Sequence, residues 1–347
     1  MKTLLIDGEW NLKRNFMKRK DLFSKGQHCG GSFGFIDSLR SVINKTMPDR
    51  VVVLWDGVMS GAFRKEIFPL YKGDRKSWEE ESYFLTSEEI NEEKERKYSI
   101  LNQKIKVKNY LEELCIRQVE VEYVEADDLL ASYVKKKHKD EEIIIFSSDK
   151  DFMQLIGDNV SLLRPSDMKM ITIHNFKEIF GYTYKNALFA KCIEGDTSDN
   201  IPGLKGVGLK KMKNYFPRFF EEKYTLDELI KEAEERISEN PKKPLKIYQK
   251  IIEGREVIEL NRKLMNLKSP MLNQKAIDEI EEILECLIVM PDIDESRGIN
   301  NVMKMLVQDG YINHVFNKDL SFFLKPFSVI ISREKNYSKK VLETSKK

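Results

Sequence analysis

Four short runs of apolar, often β-branched residues punctuate the first half of the chain: KTLLI at 2–6, RVVVLW at 50–55, VEVEY at 119–123 and EIIIF at 142–146. Their lengths and composition predict β-strands. Continuous rather than alternating apolar character predicts strands covered on both faces, as in a parallel sheet. Between them, FIDSLRSVI and DDLLASYVKKK carry helical periodicity, so the order of elements predicts an α/β fold with a mostly parallel, doubly wound sheet flanked by helices. Each predicted strand runs into acidic residues: Asp7-Gly8, Asp56-Gly57, Glu125 and Asp149. In such sheets ligands bind beyond the carboxyl ends of the strands, so the acids fall where chemistry is expected.

The pattern changes between Tyr71 and Leu111. That stretch is highly charged, with Thr86 and Glu89 spaced as a capping box, and it predicts a mobile helical insertion over about 72–111. Its first half is acidic (Glu79, Glu80, Glu81, Glu88, Glu89, Glu92, Glu93) and its second half basic (Lys94, Arg96, Lys97, Lys104, Lys106, Lys108). From about residue 184 the periodicity is helical through KNALFAKCIEG, LDELIKEAEERIS, LKIYQKIIEGREVIELNRKLMNL and AIDEIEEILECLI, broken at Pro241, Pro244 and Pro270. An aromatic cluster (Phe316, Phe322, Phe323, Phe327) and a basic tail ending in Lys346 and Lys347, expected to fray, close the chain. The predicted organisation is a catalytic domain over 1–180, a helical region over 181–290, and an extension over 291–347 to which no role is assigned.

Composition adds exclusions. At 347 residues, 41% apolar and 33% charged, the chain suits a globular protein, and no apolar run approaches bilayer length. The N-terminus lacks the apolar core of a signal peptide, so a cytoplasmic location and no membrane partner are expected. The four cysteines and four histidines lack ligand spacing, which argues against disulfides and zinc and leaves oxygen ligands for any metal. A net charge of +2 does not by itself announce a nucleic-acid binder.

Nine carboxylates remain as candidates: Asp7, Asp56, Glu125, Asp127, Asp128, Asp149, Asp151, Asp196 and Asp199. Gathered in one partly buried place they would repel one another strongly unless cations neutralised them. Hard oxygen donors favour Mg²⁺, for which Mn²⁺ can substitute, and two such ions suit in-line phosphoryl displacement without a nucleophilic side chain. Asp and Glu are also common at helix caps and strand ends, so any one cluster alone has a structural reading. Asp127 and Asp128 in particular suit a helix N-terminus.

The ordered motifs LLIDG, WDG, FRKEIFPLYKGDR, VEADDLLA, SSDKDFMQL and GDTSDNIPGLKGVGLKKM resemble the 5′-nuclease, or flap endonuclease, superfamily of phages and of the N-terminal domain of bacterial DNA polymerase I, over roughly residues 1 to 220. The resemblance implies a PIN-like catalytic domain with a helical arch insertion, and a helix-hairpin-helix at about 184–216 within the helical region. It implies that Asp7, Asp56, Glu125, Asp127 and Asp128 serve one metal ion, and Asp149, Asp151, Asp196 and Asp199 a second. Lys72 and Arg75 match the cations at the base of the arch, near the scissile phosphate. Tyr71 is expected to stack on an unpaired base, with Arg64 and Lys65 weaker candidates for phosphate contact. Only the basic wall of the arch suits a phosphate backbone, and a solvated face is the alternative.

The segment from Ile201 to Gly208 resembles the hairpin, with Gly206 and Gly208 exposing N–H groups to a duplex phosphate and Lys205, Lys210 and Lys211 adding counter-charge. The family often holds K⁺ there, so potassium is a further expectation. The implied activity is metal-dependent 5′-3′ exonuclease and flap endonuclease cleavage near a 5′ flap, nick or free 5′ end of DNA, with an RNA-DNA hybrid as a further partner. The expected setting is replication or repair in a bacterial or phage-infected cytoplasm, with the protein a monomer. Glu9-Trp10 departs from the family, where small or polar residues follow the first motif. With no polymerase domain or clamp-binding peptide seen, a stand-alone nuclease is expected. A PIN-type RNA nuclease would lack the GVG hairpin; a Toprim-like fold would not need Asp7 or Asp56; a non-catalytic junction-binding protein should have lost carboxylates.

Overall fold

The computed structural model describes residues 1–73, 87–137, 139–241, 245–287 and 295–344; the side chains of 87–90, 295–297 and 338–344 also lie outside the description. The chain forms two compact units, each discontinuous in sequence. One comprises Met1–Ser60, Ser77–Ser147 and Gln274–Lys347, and the other Gly61–Lys76 and Ser148–Asn273.

The first unit is built on four parallel strands in the order Arg117–Glu120, Arg50–Trp55, Lys2–Asp7, Glu142–Phe146. Leu4, Leu5, Ile6 and the whole run from Val51 to Trp55 are fully buried, as continuous apolar strands covered on both faces require. Asp7 pairs in register with Leu54 of the neighbouring strand, which fixes which ends of the two strands coincide. The third predicted strand is shifted. It occupies Arg117–Glu120 rather than 119–123, because the chain turns at Tyr123, whose φ of 65° is left-handed.

The helices Gly30–Thr46 and Ala126–Lys136 follow the predicted periodicity, and a helix over Gly8–Lys18, which the sequence reading did not include, directly follows the first strand. Gly8 is a glycine for a packing reason, since a Cβ there would lie 2.6 Å from the Trp55 ring. The charged insertion contributes one long helix, Ser87–Glu113. The capping-box residue Thr86, with Glu79, Glu80 and Glu81, lies outside the described residues, as do the side chains of Glu88 and Glu89.

Residues near the C-terminus belong to this first unit. Glu334, on the Leu320–Thr344 helix, is 1% exposed and accepts from Arg50 Nε at 2.8 Å and from Arg117 Nε. Those arginines begin two neighbouring strands of the sheet, so the helix docks at the amino ends of the sheet, away from the acidic strand ends. Phe323 and Phe327 are buried, whereas Phe316 and Phe322 are exposed. Lys346 and Lys347 lie outside the described residues.

The second unit holds an antiparallel pair, Val160–Arg164 with Lys169–Ile171, and the helices Ala187–Glu194, Leu209–Tyr215, Leu226–Glu239, Lys246–Glu253 and Arg255–Met265. The Leu226–Glu239 helix starts with a complete Thr225/Glu228 capping box. The long helical stretch after Leu245 breaks at Gly254, where a Cβ would meet the Leu204 side chain at 2.4 Å. Among the described residues, no helix is long and apolar enough to cross a membrane.

Candidate active site

In the first unit the acidic residues cluster at the carboxyl ends of adjacent strands. Asp7 ends its strand, is 7% exposed, and caps the next helix by accepting from Trp10 N at 3.0 Å. Asp56 follows the neighbouring strand and accepts from Ala126 N at 2.9 Å, which ties it to the start of the Ala126–Lys136 helix. Gly57 makes that approach possible, because a Cβ would fall 1.7 Å from Val121 O. Glu125 and Asp128 are buried, and with Asp127 they sit at the N-terminal end of that helix, where the macrodipole favours negative charge. The Asp7, Asp56, Glu125, Asp127 and Asp128 carboxylates thus hang on one framework.

The departure at Glu9-Trp10 has a local reason. Glu9 pairs with Lys104 of the insertion helix at 3.0 Å and with Lys13 at 3.5 Å. Burial alone would lower the Lys104 ammonium, but Glu9 and Glu120 outweigh it and hold its pKa above the ordinary lysine value. Trp10 packs edge-on against Phe146.

In the second unit, Asp149 caps the turn Lys150–Leu155 by accepting from Asp151 N at 2.8 Å. Asp196 begins another turn. Its Oδ1 accepts from Ser198 N at 2.8 Å, Ser198 Oγ at 2.6 Å and Asp199 N at 3.3 Å. Its Oδ2 faces Lys191 Nζ at 2.7 Å, and the same ammonium contacts Asp151 Oδ1. Burial alone would raise the Asp196 carboxyl; the hydrogen bonds from Lys191 and Ser198 outweigh it and hold the pKa below the usual value. Lys191 therefore stands as a cation between two carboxylates. Sequence reasoning missed it. The available signal was a lysine in the last turn of an otherwise apolar helix leading into an acidic segment.

Asp199 anchors the start of the insertion segment, accepting from Tyr71 OH at 3.2 Å through Oδ2 and from Lys72 N at 2.9 Å through its carbonyl. Tyr71 is 3% exposed, with Lys72 Nζ 5.1 Å from its ring centroid, so in this structure the ring is committed to packing rather than offered to an unpaired base. Arg64 is likewise interior: it is 4% exposed and donates to Leu264 O at 2.8 Å. Lys65 is exposed, Lys72 is half-buried, and Arg75 lies outside the described residues.

The helices Ala187–Glu194 and Leu209–Tyr215 flank a hairpin in which Gly206 has φ of 79°, a conformation that favours glycine. Lys205, Gly206, Gly208, Lys210 and Lys211 are exposed on it, and Val207 is buried beneath. Lys250 Nζ donates to Lys205 O at 2.6 Å and Lys211 Nζ to Gly206 O at 3.4 Å, while the buried Asn261 donates to Pro202 O at 2.7 Å. Lys250 and Asn261 are far from the hairpin in sequence, and no local signal marks them.

The acidic side chains of both units are oxygen donors suited to a hard cation. Among the described residues, no three His, Cys, Asp or Glu side chains gather closely enough to hold a metal ion. In the second unit the Lys191 ammonium supplies the positive charge that the pair Asp151 and Asp196 requires.

A buried parallel sheet with acids at its strand ends, in a chain that also carries an exposed glycine hairpin between two helices, defines a nuclease. Residues 2–181 match the family described as 5′-3′ exonuclease, N-terminal resolvase-like domain. A 5′-3′ exonuclease of Mycoplasmopsis pulmonis is 27% identical over 322 residues, covering 90% of this chain and 97% of that protein. DNA polymerase I of Bacillus subtilis is 32% identical over 215 residues, 60% of this chain but 22% of the polymerase. In fold, the chain is similar to the phage T5 flap endonuclease, solved as a pseudo-enzyme-product complex with DNA and metal ions, with a TM-score of 0.63 and 22% identity over 82% of this chain and 100% of the other. The chain belongs to the 5′-3′ exonuclease family.

Proposed function

We propose that this chain is a divalent-metal-dependent 5′-3′ exonuclease and flap endonuclease that hydrolyses phosphodiester bonds near the 5′ end of flapped or nicked DNA, including RNA primers, during replication or repair. The carrying observation is the Asp151–Lys191–Asp196 arrangement, in which two partly buried carboxylates already require a cation between them. Asp149, Asp151, Asp196 and Asp199 would hold one Mg²⁺ ion, and Asp7, Asp56, Glu125, Asp127 and Asp128 another, with Mn²⁺ as a substitute. When bound, such ions supply an activated water and offset the charge of the displaced oxygen.

The chain's own residues do the rest. Lys72 is the described cation proposed to face the reacting phosphate, with Arg75 beside it. Exposed N–H groups at Gly206 and Gly208, with Lys205, Lys210 and Lys211, would grip a duplex phosphate without reading sequence. A K⁺ ion at the hairpin would share the Lys205 and Gly206 carbonyls with the ammonium groups of Lys250 and Lys211. The enzyme is proposed to act as a monomer in the cytoplasm.

A labelled 5′-flap duplex incubated with Mg²⁺ should yield a product cut near the junction, and EDTA should stop it. Asp149→Asn with Asp151→Asn should abolish turnover while flap binding in Ca²⁺ persists. Cleavage that survives excess EDTA would refute the metal requirement.

A further inference from the structure

The Leu320–Thr344 helix carries two apolar stripes. Leu320, Phe323, Leu324, Phe327 and Ile331 form the first, and all are buried in the unit's core. Phe322, Pro326 and Val329 form the second, at i, i+4 and i+7: Pro326 is buried between Phe322, which is 67% exposed, and Val329, which is 42% exposed. With Ile43 and Met47 of the Gly30–Thr46 helix and its C-cap, the second stripe lines a cavity of about 290 Å³. That volume takes one or two apolar side chains.

The rim is basic. Arg40, Lys325 and Arg333 line the groove, Arg40 already paired with Asp37, and among the described residues no carboxylate lines it. The nearby Asp37 is occupied by Arg19 at 2.7 Å and Arg40 at 2.9 Å. Arg333 uses one terminal nitrogen on the Met47 and Pro48 carbonyls, at 2.8 and 3.0 Å, which holds its guanidinium at the groove's edge. Pro326 has no N–H to give the Phe322 carbonyl one turn earlier, so the groove wall also presents a backbone acceptor that the helix ladder leaves without its usual donor.

An apolar floor with a cationic rim is complementary to an amphipathic segment that carries apolar anchors at helical spacing and carboxylates beside them. Nucleic acid fits less well, because phosphates gain nothing from burying Phe322, Met47 and Val329. We propose that this groove docks an acidic amphipathic helix of a partner protein. The Arg50–Glu334–Arg117 cluster places the helix at the amino ends of the sheet, so a partner there leaves the acidic strand ends of the same unit uncovered. The groove is thus a tether rather than a competitor for substrate.

The test uses the full chain and a fluorescein-labelled synthetic helix with Leu and Phe at i, i+4 and i+7 and Glu at the remaining positions, followed by fluorescence anisotropy. Saturable binding that weakens with salt is expected, reduced at least about tenfold by Phe322→Ala and by Arg333→Glu. Flap cleavage and circular dichroism of Phe322→Ala should match the parent. Equal binding of a peptide with Lys in place of every Glu would overturn the proposal, as would affinities unchanged in both variants. Sedimentation showing a dimer that the same variants dissolve would make the groove a self-association surface instead. Displacement of the peptide by duplex DNA, lost in Arg333→Glu, would make it a phosphate site.

Discussion

Lys191 separates two aspartates that would otherwise repel each other across a partly buried space. Its side chain is 14% exposed, and Asp151 and Asp196 are 12% and 16% exposed, so solvent screens the pair only in part. Truncating it leaves the repulsion unopposed. Lys191→Ala is expected to destabilise the EDTA-treated protein by about 1–3 kcal/mol and to recover on adding Mg²⁺ more than the parent does. Thermal melting with and without Mg²⁺ reads this; identical melting of parent and variant in both conditions would remove Lys191 from the site. Tyr71 and Arg64 sit in a segment whose charge and aromatic content suit DNA, and both side chains are buried, Tyr71 on Asp199 and Arg64 on the Leu264 carbonyl.

Elements show where such contacts become mechanism. The insertion helix is pinned to the sheet by Lys104 and Lys108, which meet Glu120 at the end of its strand. Partial burial alone would raise the Glu120 carboxyl, but the two lysines outweigh it and hold the pKa below the ordinary value. A depressed carboxylate pKa means stabilisation that is complete above the unfolded value, about 4.3, and is lost as pH falls through the folded one. Glu120→Gln should therefore flatten the acid-side fall of the urea midpoint while costing stability at neutral pH. A variant with the parent's full acid dependence would show that the pair does not hold the helix. For the hairpin, Lys210 is exposed beside the glycine turn. Lys210→Ala is expected to lower the slope of log affinity against log salt by about one for any duplex sequence. An unchanged slope would place the duplex elsewhere.

At the scale of the whole molecule, residues near the two ends of the chain build one unit. Glu334 and the arginines it receives, Arg50 and Arg117, are 1%, 4% and 8% exposed as side chains, a buried cluster in which one carboxylate serves two guanidinium groups. Glu334→Gln removes the negative charge that the two buried guanidinium groups share, and a loss of about 3–5 kcal/mol in urea denaturation is expected. A loss below about 1 kcal/mol, typical of exposed pairs, would mean that the C-terminal helix is not a structural part of this unit. The role of the residues after 290, which the sequence left unassigned, is in part to close this core.

The sequence by itself determined the local periods and the local chemistry. Three of the four strands and the helices Gly30–Thr46 and Ala126–Lys136 are written in patterns a few residues long, because pleat and helix turn are short-range physics. The acids at strand ends are legible for the same reason: a parallel strand delivers its C-terminal residue to a known end of the sheet. Tertiary structure decided what those patterns could not carry. It moved the third strand by turning the chain at Tyr123, buried Tyr71 and Arg64, set Lys191 between Asp151 and Asp196, and placed Lys250 on the carbonyl of Lys205, 45 positions away. It also brought Glu334 to Arg50, 284 positions apart. Such contacts depend on how elements pack in space, and burial, not residue type, fixes whether a charged or aromatic side chain is free to meet a substrate.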